Sequence, residues 1–146
     1  MEYPLIIDGA ERGRLRVERQ GLYTLHEGAA EYTTLGNALA VLSGVAKGKE
    51  REICDRILQG ETAPSSLSMS IFKYTAMLQT DKDRYREGIL REIRKVYGEM
   101  GKTGDTVWET AQGWKDFDNA GSLCHGWSAV PILLYHWLGE DHHEKT

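Results

Sequence analysis

Two hydrophobic rhythms divide the chain. In the first thirty residues apolar and polar positions alternate over short runs: Tyr3-Pro4-Leu5-Ile6-Ile7 is followed by the turn signal Asp8-Gly9, and Arg14-Leu15-Arg16-Val17-Glu18-Arg19 alternates over a strand's length. Gln20-Gly21 interrupts the pattern, and Leu22-Tyr23-Thr24-Leu25-His26-Glu27 resumes it. Two or three antiparallel strands are expected, too few to be stable unless they lean on the helices or on a partner.

From Tyr32 onward the period becomes helical. Thr33 or Thr34 is placed to cap a helix with Leu35, Ala38, Leu39, Val41 and Leu42 on one side, ending at Gly44 and Gly48. A second helix is expected from Lys49 to Gln59, with Ile53, Ile57 and Leu58 inward and Gly60 as its stop. After the loop Ala63-Pro64-Ser65-Ser66, the stretch Leu67 to Leu78 is apolar on more than one side and predicts a widely buried helix. Thr80-Asp81-Lys82-Asp83 supplies capping oxygens and negative charge for a helix through Met100, striped by Tyr85, Ile89, Ile93, Val96 and Tyr97. A last helix is expected over Leu123 to Leu138, with Trp137 in the core and Gly139 as its end. The chain therefore reads as mainly α, about five helices in antiparallel hairpins behind a short β-rich arm. Its expected parts are the arm at 1–30, a helical unit at 31–139 and a polar tail at 140–146.

Composition narrows the classes. The 146 residues suffice for one core, and 18 basic against 22 acidic side chains, interspersed, give a net charge of −4 and no basic footprint for nucleic acid. The longest apolar run, Ala129 to Leu138, is about half of a membrane span and holds Pro131 and His136, so no membrane role is expected. Cys54 and Cys124 lack metal-ligand spacing and the opening residues lack a signal-like apolar run, which makes a reducing cytoplasm the expected location. Neither a cofactor nor a metal is implied, and His142 and His143 lie in the polar tail.

The chemistry is concentrated in Thr106 to Trp127, where three of the four tryptophans stand with Glu109, Asp116, Asp118 and His125 in a glycine-broken stretch. Indole faces stack on the apolar side of a sugar ring, carboxylates accept hydroxyl hydrogens or move protons, and glycine lets backbone approach closely. Each residue also has a plainer reading: tryptophans pack, aspartates form Asx turns, and a histidine at a helix start is structural. Adjacent Cys124 and His125 point in different directions on a helix, against a Cys/His nucleophile pair. The hydroxyl-rich run Ser65 to Ser70 is read as a cap for the helix that follows it.

The pattern Thr-Val-Trp-Glu at 106–109, followed by Ala-Gly-Ser-Leu-Cys-His-Gly-Trp-Ser-Ala at 120–129 and an apolar helix, resembles the C-terminal part of the catalytic domain of bacterial α-L-rhamnosidases, glycoside hydrolase family 78. The likeness extends over residues 31 to 139. It implies part of an (α/α)6 barrel and inverting hydrolysis, in which one carboxylic acid protonates the leaving oxygen and a second carboxylate activates water. By resemblance Glu109 takes the position of the general base, and His125 with the neighbouring Trp108, Trp114 and Trp127 matches positions that line the sugar pocket; Asp116 and Asp118 are candidate sugar contacts by residue type alone. A whole barrel needs about twelve helices and roughly 350 residues. The half that carries the general acid is therefore missing from this sequence. The implied partners are a rhamnoside and either a second copy or a complementary barrel half. The competing expectation is a noncatalytic helical module that self-associates or binds carbohydrate weakly.

Overall fold

The computed structural model describes residues 18–24, 29–104 and 106–139. The expected strands at Tyr3–Ile7 and Arg14–Val17, the end of the third strand and the tail from 140 lie outside the described residues.

Glu18–Arg19 (β1) and Leu22–Tyr23 (β2) pair antiparallel, with Glu18 opposite Tyr23 and Arg19 opposite Leu22. The connecting Gln20 and Gly21 both have positive φ, 54° and 80°, the combination a two-residue turn needs to match strand twist. The pair does lean on the helices. Leu22 is fully buried in their core, and Tyr23 donates its N–H to Asn37 Oδ1 (2.9 Å) while its carbonyl accepts from Asn37 Nδ2 (3.0 Å). The Arg56 guanidinium donates to the Gln20 carbonyl and closes the other side of the turn.

The helix α1, Thr34–Leu42, starts where Thr33 Oγ1 accepts the Gly36 N–H at 3.2 Å. Its inward face is rotated from the one that counting leucines gives. Asn37 and Ala38 are fully buried, whereas Leu39 is 43% exposed. Asn37 goes inside because both ends of its amide are satisfied by β2 and by the Thr33 carbonyl, which removes the usual penalty for a buried amide. The helix α2, Glu50–Leu58, buries Ile53, Cys54 and Ile57. Leu58, expected inward, is 38% exposed and rests on Gly88, where an added Cβ would lie 2.8 Å from Leu58 Cδ2. Burial pushes the Cys54 thiol up from its ordinary value, as suits a core residue.

Ser70–Thr103 (α3) consists of two helical arms joined at Asp81, whose dihedrals (φ −166°, ψ 93°) are not helical. This one residue turns the helix back on itself. Lys73 Nζ meets Glu92 Oε1, an impossible contact along a straight helix, where positions 19 apart are about 28 Å distant. The two arms therefore form an antiparallel hairpin, and Asp81 caps the second by accepting the Arg84 N–H at 3.1 Å. Asp55 pins α2 to this arm. Its carboxylate takes both Arg84 Nε (3.0 Å) and Nη2 (2.7 Å) and the Tyr85 hydroxyl (2.8 Å). The hydrogen bonds from Arg84 hold the Asp55 carboxyl below the ordinary aspartate value. Tyr74, Met77, Tyr85, Ile89 and Ile93 of the two arms join α1, α2 and Leu22 in one core.

The last element, α5, is Val130–Leu138, with Pro131 in its first turn and Gly139 as a left-handed cap at φ 73°. It packs on α3 through a face that includes Leu134 and Leu138. The expected helix from Leu123 is shorter by its first two turns. Residues 126–128 make only a 3-10 turn, because stem pairing of the preceding loop claims the backbone before that point. Trp137, expected in the core, is 38% exposed. None of the described helices is long and apolar enough to cross a membrane.

Candidate functional site

The aromatic stretch leaves α3 at Gly104 and returns to α5 as a loop with paired stems. Thr106 Oγ1 donates to the Leu123 carbonyl (2.5 Å), His125 N–H to the Val107 carbonyl (2.8 Å), and Glu109 N–H to the Ser122 carbonyl (2.9 Å). Glu109 and His125 are thus brought together on adjoining stems, both half-buried. His125 is extended (φ −132°, ψ 93°) and not part of a helix, so the helical argument about its direction relative to Cys124 does not apply. Glu109 Oε2 accepts the Ser122 N–H at a long 3.4 Å. That single bond orients the carboxylate at the stem and leaves lone pairs for a hydroxyl or a water.

Between the stems two glycines serve as mutual seats. Gly113 has φ +59° and lies under the Trp108 ring, where an added Cβ would be 2.7 Å from Trp108 Cε3. Gly121 crosses Gly113 so closely that a Cβ would stand 2.0 Å from the Gly113 carbonyl oxygen. Trp108 is therefore a packing ring on its Gly113 side, and the Trp108 backbone N–H donates to Met100 Sδ (3.4 Å) at the end of α3. Trp114 and Trp127 are different, 52% and 81% exposed.

The segment α4, Asp116–Asn119, is one turn of opposite hand. Phe117 (51°, 48°) and Asp118 (57°, 42°) are left-handed, and Asn119 follows at φ 68°. Each such residue with a side chain costs about 1–2 kcal/mol. Asp116 closes the turn: its Oδ1 accepts the Phe117 N–H (3.0 Å), and its carbonyl accepts from Ala120 and Gly121 (both 3.0 Å). Asp116 is thus the loop former that the residue type suggests, and Asp118 stands exposed on the turn.

The apolar surface of this region is extensive. Trp114, Phe117, Leu123, Trp127, Ile132 and Trp137 are each more than a third exposed. Ser128, just before α5, is by contrast fully buried with its hydroxyl unpaired. Elsewhere an open groove of about 350 Å³ lies beside α1, between Leu35, Leu39, Pro64 and Met69. None of the expected site residues lines it. The serines next to it act as caps, with Ser66 Oγ accepting the Met69 N–H and Ser70 Oγ donating to the Leu67 carbonyl. Among the described residues no group of three His, Cys, Asp or Glu side chains is placed to hold a metal ion.

Comparison with protein-family models, curated proteins and solved structures finds no match for the chain.

Proposed function

We propose that this chain is an α-L-rhamnosidase-like glycoside hydrolase unit, one half of an (α/α)6 barrel, that binds a rhamnoside and works with a complementary half. Glu109 is the base that activates water at the anomeric carbon. Trp114, Trp127 and His125 contact the ring, Trp108 and Asp116 hold the loop in shape around it, and Asp118 accepts hydroxyl hydrogens. The observation that carries this reading is the exposed apolar surface of the 106–139 region. A half-barrel whose pocket-lining side has no opposite wall leaves such a surface bare. By the resemblance the general acid belongs to the other half of the barrel, so full activity on natural glycosides requires the complementary half.

A single measurement tests the base. An aryl α-L-rhamnoside has a leaving group that needs little protonation, so the chain alone is expected to turn it over slowly, and Glu109→Gln to reduce that rate by about a hundredfold or more. An unchanged rate would remove Glu109 from the mechanism.

A second reading, a noncatalytic module that self-associates or binds sugar weakly, is favoured by the outward aspect of Trp114 and Trp127, which suits a stacking surface as well as a pocket wall. Rhamnoside binding without turnover, together with a dimer by light scattering, would select it.

A further inference from the structure

Phe117, a lone phenylalanine between two aspartates, carries no chemical signal in the sequence. Its backbone gives one. Asparagine and aspartate tolerate the left-handed region, since their short polar side chains bond locally, but a bulky ring there is an outlier. The ring obtains little packing in return, being 58% exposed. The turn is nevertheless closed at both ends, by Asp116 on one side and by Gly121 seated on Gly113 on the other. An unfavourable conformation held firmly, with its apolar ring exposed three residues from the exposed Trp114, is a presented surface.

We propose that Phe117 is a substrate-contacting residue, forming with Trp114 an aromatic platform for the apolar face of a sugar ring. The flanking carboxylates favour a sugar over a protein partner. Protein interface cores are depleted in aspartate, whereas a sugar ring offers an apolar face to the rings and hydroxyl edges to Asp118. This inference rests on the carbohydrate reading above and assigns it a residue that the family resemblance does not.

The test uses methyl α-L-rhamnoside, which has no aryl group of its own to stack, titrated against the full chain by ligand-observed NMR. Phe117→Ala keeps the backbone conformation costly and removes only the ring. It is expected to weaken binding about tenfold and to leave the melting temperature within about 2 °C. Phe117→Gly is expected to bind as weakly but to melt above Phe117→Ala, because glycine occupies the left-handed region freely. Wild-type affinity in Phe117→Ala would overturn the proposal while leaving the carbohydrate reading intact. A fall of several degrees in that variant would also overturn it, by making the ring a packing residue. No binding by the wild-type chain would overturn both.

Discussion

Residues 34–103 and residues 106–129 are built on opposite terms. In the first, most large apolar side chains are inside, the one buried side-chain amide is bonded at both ends, and charges meet in pairs such as Asp55 with Arg84. In the second, backbone hydrogen bonds and glycine contacts hold the shape, while Trp114, Phe117 and Trp127 face outward. The contrast separates where stability is made from where recognition would take place. A loop stabilised by its own stems and glycine seats can display aromatic rings without needing them for folding.

Three substitutions break or sharpen this contrast, in descending order of effect. Ile89→Ala removes a fully buried side chain at the centre of the helical core, and a loss of about 3 kcal/mol is expected from urea unfolding. Gly121→Ala places a Cβ against the Gly113 carbonyl, which the backbone must yield to. A loss of about 2 kcal/mol is expected, with a change in tryptophan fluorescence from displacement of Trp108. If the helical core melts unchanged beside a disordered loop, the two regions are independent in energy as well as in construction. Asp55→Asn removes a partly exposed ion pair, so solvent screening limits its cost to about 1 kcal/mol near neutral pH.

The last variant also has a pH signature. The folded chain holds the Asp55 carboxyl below its ordinary value, so the unfolded chain binds the proton first as pH falls. The stabilisation is present above the ordinary aspartate value near 3.8 and is lost as pH drops through the lower folded value. Melting curves between pH 6 and about 2.5 are expected to show a steeper acid loss in the wild-type chain than in Asp55→Asn. Parallel curves would remove Asp55 from the acid response.

The sequence was most legible where one local rule decides the outcome. Thr33, Asp81 and Gly139 cap as their residue types demand, and Cys54 is core because its helical position is. It misled where a long-range contact overrules local pattern. Asn37 displaces Leu39 from the inward face because β2 satisfies its amide, a partner 14 residues away. Leu123 to Ser128 carry helical side chains, but their backbone is engaged by residues 106–109. In the candidate site, the residue types were visible, and the pairing of Glu109 with Ser122 gives them a frame. The left-handed turn at Phe117 was not visible, since nothing in Asp-Phe-Asp-Asn marks a change of hand.

The hinge at Asp81 also carries an expectation about the order in which the chain finds its shape. Because the chain reverses at Asp81, contacts between the arms begin beside the hinge and extend outward to pairs such as Lys73 and Glu92. Low sequence separation means little entropy is lost before contacts are rewarded. The hairpin is thus expected to form early, and the aromatic loop, anchored to the end of its second arm through Met100, to take form on it.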